Sequence, residues 1–287
     1  MQVYAKNSRH CLTDHQSKLM KLKSILTALD SSVESQAGLR AAAELAGRTG
    51  AVLKSLYIED ENWFHATKTS IVRHINRHTG ETIIVDEQEI TRQSRALKSR
   101  LADQVDRVCN EFNVRSIYNS ARGEIDFELK QASEDADLVV IGRRGTSFHT
   151  KDELGSTALY LAEKCTTPIL MWSAYRNWPS MIFGITGDSE TGAEIEQWVS
   201  MLSDLLSKDA RMVMAGEWSE TASDEKTVSA GEQILQHSFP WQTLEEPEDV
   251  YQWSGRGLIV VHRKDRLFKT IDLKKFMIKM YNPILLI

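Results

Sequence analysis

Short apolar runs alternate with amphipathic stretches along the first 174 residues of the chain. Residues 24–30 form an apolar run whose last residue begins the polar turn Asp30-Ser-Ser, an Ala-rich stretch then ends at Gly50, and residues 51–58 form a second run. Asp and Ser accept hydrogen bonds from the free N–H groups of a helix start, and Gly favours a helix end. The pattern therefore predicts a strand, a helix with Asp30 as its N-cap, and a second strand.

The alternation continues to residue 172. Apolar residues recur at spacings of three and four from Leu97 to Val108, which predicts a long helix over 86–113. Further strands are predicted at 114–119, 137–142 and 167–172, and further helices at 124–134 and 156–164. Strands that alternate with helices indicate an α/β fold with a mostly parallel sheet covered on both faces.

Residues 60–85 fit this scheme less well. Trp63 and Ile75 favour a short helix there, whose polar side would carry His74 and His78. The i, i+4 spacing places two imidazoles on one helix face, but a zinc site needs further ligands, and no third one stands nearby. We therefore interpret the two histidines as surface residues.

The C-terminal part of the chain repeats features of the first part. Residues 138–144 resemble 258–264 at an offset of 120 positions, and 167–171 resemble 282–286 at an offset of 115. The second copy is thus five residues shorter between these two segments, where the first copy carries a glycine-rich stretch. The repeat predicts two domains of the same fold, and the ligand site of the first copy is not expected to recur in the second copy. The predicted divisions are an N-terminal extension at 1–20, a first domain at 21–174, a linker at 175–180 and a second domain at 181–287.

Composition narrows the class of protein. The 287 residues, 41% hydrophobic and 26% charged, are typical of a globular protein with two domains. With 35 Lys and Arg against 40 Asp and Glu, the net charge of −5 disfavours nucleic acid as a partner. Three scattered cysteines exclude a disulfide framework or a zinc ribbon, and no apolar run approaches a membrane span. We therefore expect a cytoplasmic protein with neither a membrane nor a nucleic-acid partner.

The segment with the clearest signs of a binding site follows the strand predicted at 137–142. It spaces Gly142, Gly145 and Gly155 as G-x2-G-x9-G and continues directly into Ser156 and Thr157 at a predicted helix start. Glycines allow the backbone to approach a ligand closely, and the free N–H groups and positive dipole end of a helix attract phosphate. Ligands of parallel sheets collect at the carboxyl ends of strands, so Asp30 is expected at the same crevice.

This spacing resembles the pattern of the nucleotide-binding universal stress proteins. The opening 25–32, the segment Gly123-Glu-Ile, the strand 136–142 and the closing Thr167-Pro-Ile-Leu are also similar to that family, so the resemblance covers residues 22–173. It implies two flavodoxin-like, HUP-type α/β domains, each an open, mostly parallel five-stranded sheet with helices on both faces. The second half resembles the family only in outline.

The resemblance also implies a ligand and the residues that hold it. The ligand is ATP or a related adenine nucleotide, AMP or ADP, with or without Mg²⁺. Asp30 and the backbone of Ile58 would lie near adenine and ribose, and the segment from Gly142 would hold ribose and phosphates. The residues implied in that segment are Gly142, Arg143, Gly145, Gly155, Ser156 and Thr157. Arg143 and Arg144 are either phosphate donors or solvated surface residues, and both alternatives stay open. Gly155→Val is expected to crowd the phosphate position, whereas the region around His262 is expected to tolerate change.

Tandem members of the family pair their domains through the last strand of each. Here this would align 168–172 with 283–287 and make the chain a pseudo-dimer, with a homodimer as a further possibility. The expected function is that of a regulatory nucleotide binder with an unknown protein partner. A ligand-free scaffold and a slow ATPase or phosphotransferase are the alternatives. The sequence shows no activated nucleophile or acid–base pair and no metal site, so we predict no catalytic residues. The Gly-Lys-Ser/Thr of a Walker A loop is absent, which disfavours a motor-type ATPase.

Overall fold

The computed structural model of the protein describes residues 21–62, 65, 72–75, 82–85, 87–145, 154–174, 177–215, 239–244 and 246–287. The predicted extension at 1–20 lies outside these residues, as do residues 175 and 176 of the predicted linker. We call residues 21–174 the first half and residues 177–287 the second half.

The first half alternates strands and helices as predicted. Its elements are β1 (Ser24–Leu29), α1 (Val33–Thr49), β2 (Val52–Asp60), β3 (Val72–Ile75), β4 (Thr82–Val85), α2 (Glu87–Phe112), β5 (Ser116–Gly123), α3 (Ile125–Ser133), β6 (Leu138–Gly142), α4 (Ser156–Lys164) and β7 (Ile169–Trp172).

The second half repeats this order with shorter helices near its end. Its elements are β8 (Met181–Thr186), α5 (Ser189–Leu206), β9 (Asp209–Ala215), β10 (Trp241–Leu244), a 3₁₀ helix (Pro247–Trp253), β11 (Leu258–Val261), α6 (Leu267–Thr270), α7 (Leu273–Lys279) and β12 (Ile284–Leu286).

Ten of the described strands form one continuous sheet. Their order is β10-β9-β8-β11-β12-β7-β6-β1-β2-β5, so each half contributes five parallel strands ordered third, second, first, fourth, fifth. The halves meet where β7 and β12 run antiparallel, with Met171 opposite Ile284 and Leu170 opposite Leu285. This finding confirms the predicted pairing of the last strands. It also removes two sheet edges that would otherwise be open to other chains.

The segment between β2 and α2 differs from its prediction. Glu61, Asn62 and His65 are helical, in keeping with the predicted short helix, but residues 72–75 and 82–85 form an antiparallel two-stranded sheet. The reason lies in the composition of the second strand, Thr82-Ile-Ile-Val85, which consists entirely of β-branched residues that favour extended backbone. His74 therefore lies on a strand, where i, i+4 residues do not form a helical face, and His78 lies outside the described residues.

The N-cap of α1 also differs from its prediction by two positions. The Ser32 side chain, not that of Asp30, accepts the N–H of Ser35 and caps the helix. The helix ends at Gly50, whose φ of 73° is the left-handed conformation that glycine tolerates best. In the second half, Asp188 caps α5, since its carboxylate accepts the N–H of Thr191 at 2.9 Å.

Two apolar cores lie on the two faces of the sheet, and each contains residues of both halves. On one face, Leu39 of α1 and Trp198 of α5 belong to a single cluster of buried side chains. On the other face, Leu129 of α3 and Phe276 of α7 share a second cluster. The halves are therefore joined by packing as well as by the strand junction. Among the described helices, none has the length and apolar character needed to cross a membrane.

Candidate functional site

A cavity of about 400 Å³ opens in the first half, where the carboxyl ends of β1, β2 and β6 meet the start of α4. The strand order reverses between β1 and β6, and this switch point is where open α/β sheets bind ligands. Seven of the eight predicted site residues line the cavity; they are Asp30, Ile58, Gly142, Gly145, Gly155, Ser156 and Thr157. The eighth, Arg143, is not among the lining residues.

The start of α4 gives the cavity its positive end. Gly155 is the N-cap and has no side chain to bond the first N–H groups, and Ser156, Thr157 and Ala158 follow it along the cavity wall. The first N–H groups of a helix lack partners within the helix and carry the positive end of its dipole. This corner can therefore hold an anion.

Asp30 faces the same space from the end of β1. Its Oδ1 accepts the N–H of Ser32 at 2.9 Å, and its own N–H donates to the Ser35 hydroxyl at 2.9 Å. These bonds fix the turn between β1 and α1. A Cβ added to Gly145 would lie 3.2 Å from Asp30 Oδ2, so residue 145 is glycine where the loop passes closest to this carboxylate.

The other two glycines of the motif serve the protein's own packing. A Cβ on Gly142 would lie 3.0 Å from the Ser35 backbone nitrogen, and one on Gly155 would lie 3.1 Å from the Arg143 carbonyl oxygen. None of the three motif glycines has a positive φ, so close approach and not backbone conformation selects them. A valine at position 155 would therefore also press on the backbone of the loop, and its crowding of the phosphate position stays a prediction.

The placement of Arg143 also corrects the sequence prediction. Its side chain is 7% exposed and turns away from the cavity towards the second half. There it donates hydrogen bonds to the carbonyl oxygens of Met277, Met280 and Asn282. Burial lowers the pKa of this guanidinium to about 10, which still leaves it charged at neutral pH. Arg143 is a link between the halves and not a phosphate donor.

Arg144 lines the cavity and is held by a buried carboxylate. Glu34, which is 5% exposed, accepts the Arg144 backbone N–H at 2.7 Å and its Nε at 2.8 Å. The sequence interpretation did not include Glu34. Glu34 lies in the first turn of α1, directly after the Asp30-Ser-Ser turn. This position in the sequence could have indicated that its side chain faces the loop after β6.

Apolar side chains and a second carboxylate complete the cavity. Leu56 and Ile58 of β2 lie on one wall, Ile125 and Leu129 of α3 contribute to another, and Asp60 ends β2 at the rim. Asp60 was missed by the sequence interpretation. The rule that strand ends converge at one edge of a parallel sheet would have found it, had the strand been predicted to run past Ile58.

A charge network beside the cavity fixes α2 to the end of β2. Glu59 is 5% exposed and accepts from the Ser94 hydroxyl, from Lys98 Nζ at 2.9 Å and from Arg122 Nε at 3.2 Å. Burial by itself would raise the pKa of Glu59, but these donors outweigh it and lower that pKa. Burial, with Tyr57 and Glu59 nearby, raises the pKa of the neighbouring Tyr118 to about 12.

The equivalent corner of the second half is filled by the protein itself. The Asp265 carboxylate is 1% exposed and accepts the N–H groups of Gly187 and Leu267, each at 2.7 Å. The hydroxyl groups of Thr186 and Thr191 also donate to it. Asp265 therefore serves four donors in the fold of the second half, and the expectation that nucleotide binding tolerates change around His262 stays a prediction.

The fold and the site together define a tandem α/β protein with a switch-point cavity in one of two fused halves. Residues 21–172, which are 152 of the 287 residues, match the model of the universal stress protein family. The chain belongs to this family. Among curated proteins, none matches the chain at a significant level.

Solved structures share this tandem architecture. A universal stress protein from Archaeoglobus fulgidus DSM 4304 superposes with a TM-score of 0.60 at 13% identity, over 92% of this chain and 95% of that one. A protein of Pseudomonas aeruginosa UCBPP-PA14 assigned to the universal stress proteins gives a TM-score of 0.62 at 15% identity, over 94% of each chain. At such identities the likeness concerns the fold.

Proposed function

We propose that the first half binds an adenine nucleotide, ATP, ADP or AMP, as a regulatory ligand in a stress response. The observation that carries the proposal is the cavity at the β1/β6 switch point, which combines an uncapped helix start with apolar walls and carboxylates. The division of the chain at 21–174 and 181–287 belongs to the same proposal. In this proposal the first domain binds the ligand. The second domain, whose equivalent corner is filled by Asp265, is structural.

The chemistry of the cavity suits the three parts of a nucleotide. Leu56, Ile58 and Leu129 offer apolar surface to a planar base. The carboxylates of Asp30 and Asp60 can accept hydrogen bonds from ribose hydroxyls or an exocyclic amine. The start of α4 can receive phosphate oxygens. A volume of about 400 Å³ lies within the range of small-molecule sites.

The described residues support Mg²⁺ only as a companion of the phosphates. No group of three or more His, Cys, Asp or Glu side chains that could hold a metal occurs in the part of the chain that the structure describes. Mg²⁺ is commonly bound through one or two carboxylates and substrate phosphates. Asp30 and Asp60 can supply that number.

Ser156→Glu tests the proposal while leaving the fold intact. A carboxylate in the first turn of a helix stabilises the helix, but here it would repel phosphate. We expect the variant to keep its unfolding temperature and to bind AMP and ATP at least about tenfold more weakly, because nearby like charges cost several kcal/mol. Isothermal titration calorimetry with ATP, ADP, AMP and adenosine measures the affinities.

Ser189→Glu is the matched control. Ser189 is the first residue of α5 and is exposed, so it receives the same charge at a helix start in the second half. Nucleotide affinity is expected to stay unchanged in this variant. If the unmodified protein binds none of the four compounds, the proposal fails and the ligand-free scaffold takes its place. Equal weakening in both variants would reject the start of α4 as the phosphate position.

A further inference from the structure

Arg143 stands between two residues of the cavity, but its side chain belongs to the junction. Gly142 and Arg144 line the cavity on either side of it. The Arg143 guanidinium crosses to the second half, where Nη2 donates to Met277 O at 2.5 Å and Nη1 donates to Asn282 O at 3.2 Å. A buried side chain from the middle of the loop that follows β6 thus reaches polar backbone groups of the second half.

The acceptors of Arg143 lie at the end of a helix. Met277 is in the last turn of α7 and Met280 is its C-cap, and both offer carbonyl oxygens to the guanidinium. The last carbonyls of a helix have no partners within it and carry the negative end of its dipole. A planar guanidinium, with five N–H donors in a fixed fork, can serve several of these oxygens at once.

The backbone of Arg143 connects the same residue to the rest of the site. Its N–H donates to the Trp172 carbonyl oxygen at 2.9 Å, and its carbonyl oxygen accepts the N–H of Gly155 at 2.8 Å. Gly155 is the N-cap of α4, whose first N–H groups face the cavity. One residue therefore holds the loop, the helix start and the second half in a fixed relation.

We propose that Arg143 is a positioning residue through which the second half sets the geometry of the cavity in the first half. The inference rests on the proposed function, because it makes nucleotide affinity depend on a side chain that never touches the nucleotide. Under this inference the second half contributes to ligand binding in the first half, although the equivalent corner of the second half is filled by Asp265. Removing the guanidinium would free the 142–145 loop and the start of α4 together.

The internal repeat supplies a matched control. Arg263 follows β11 as Arg143 follows β6, and its Nη2 donates to Thr167 O in the first half at 3.1 Å. Arg143 and Arg263 thus make reciprocal bonds across the junction, to the residues that precede Pro283 and Pro168. Arg263 is not among the residues that line the first-half cavity. Its replacement removes a bond across the junction without reaching the site.

The test uses the full chain with Arg143→Met, Arg143→Lys and Arg263→Met. We expect Arg143→Met to unfold at lower temperature than the unmodified protein. Arg263→Met is expected to change the unfolding temperature less, because Arg263 Nε and Nη1 are buried without a hydrogen-bond partner among the described residues. Only Arg143→Met is expected to weaken AMP and ATP binding, by at least about tenfold, when affinity is measured well below the unfolding temperature. Arg143→Lys is expected to restore little of the lost nucleotide affinity, since one ammonium group cannot replace the several N–H donors of the planar guanidinium. Arg263→Met is expected to bind within about twofold of the unmodified protein.

Amide hydrogen exchange of the ligand-free proteins gives a second readout. The amides of residues 142–145 and 155–157 are expected to exchange at least about tenfold faster in Arg143→Met and at the unmodified rate in Arg263→Met. Unchanged exchange in Arg143→Met would overturn the inference, and so would equal loss of affinity in the two methionine variants. If the unmodified protein binds no nucleotide, the proposed function fails, and the exchange rates still decide whether Arg143 positions the loop.

Discussion

The Asp265 carboxylate accepts the backbone N–H of Gly187 at 2.7 Å, in the second-half position that corresponds to the Gly145 and Asp30 corner of the first half. At the repeat offset of 120, Asp265 takes the place of Gly145. One substitution of glycine by aspartate thus places an anion of the protein where the first half leaves room. This difference is the reason why the proposed ligand site is confined to the first half.

Asp265→Ala is expected to destabilise the protein without changing nucleotide affinity. Two N–H groups and two hydroxyl groups would lose a buried acceptor, which costs about 3 kcal/mol. Urea unfolding measures the change. Asp272→Ala is the control, because Asp272 accepts the exposed N–H of Lys275 as the N-cap of α7, and loss of such a cap costs about 1 kcal/mol. Equal effects of the two variants would show that the Asp265 corner is not specially stabilising.

Gly145→Ala is expected to separate binding from stability. The added methyl group would lie 3.2 Å from Asp30 Oδ2, which is not the oxygen that accepts the Ser32 N–H, so a small rotation of the carboxylate can relieve the contact. We therefore expect the unfolding temperature to change little and nucleotide affinity to fall. Gly155→Ala, in contrast, would meet the Arg143 carbonyl oxygen at 3.1 Å and lower the unfolding temperature as well. Thermal unfolding and calorimetric titration of both variants give the comparison, and an unfolding temperature lowered most by Gly145→Ala would contradict it.

The Glu59 network predicts a loss of stability in acid. The pKa of Glu59 is lowered in the folded protein by Ser94, Lys98 and Arg122, so the ionised form is favoured by folding. Its contribution is complete above the unfolded pKa of about 4.3 and disappears as the pH falls through the lower folded pKa. Glu59→Gln is expected to lower the unfolding temperature at pH 7. The difference in unfolding temperature between this variant and the unmodified protein is expected to become smaller towards pH 3.

Glu89→Gln is the control for this pH series. Glu89 pairs with Arg92 at the solvent-exposed surface of α2, where ion pairs contribute little. We expect its unfolding temperature to follow that of the unmodified protein throughout. A gap between Glu59→Gln and the unmodified protein that stays constant from pH 7 to pH 3 would show that Glu59 stabilises by packing and not by charge.

The shared cores predict that the two halves unfold together. Leu285 is 1% exposed and lies opposite Leu170 at the junction, inside the core that also holds Leu39 and Trp198. Leu285→Ala is expected to lower the free energy of unfolding by about 2–5 kcal/mol and to lower the temperature of a single calorimetric transition. Phe127→Ala, which removes a side chain that is 58% exposed, is expected to change the transition little. Two separate transitions in the unmodified protein would contradict this prediction.

Much of the fold could be predicted from local patterns. The spacing of Leu97, Leu101 and Val105 indicated α2, and the apolar runs indicated the strands, because periodicity records which face of an element is buried. The hairpin at 72–75 and 82–85 was missed, since a few apolar residues in a short segment fit a helix as well as a strand. The glycine spacing located the cavity, because the end of a parallel strand and the start of the next helix must meet at one edge of the sheet.

The sequence by itself determined the alternation of strands and helices, the repeat of the two halves and the position of the glycine loop, since each depends on residues close together in the chain. Only the tertiary structure decided where side chains point across the junction. Arg143 and Arg144 are neighbours of the same residue type, but one bonds the carbonyl oxygens of the second half and the other bonds Glu34 beside the cavity. The direction of Arg143 depends on the antiparallel pairing of β7 and β12, and that of Arg144 depends on the parallel pairing of β1 and β6. Each pairing brings together residues more than 100 positions apart.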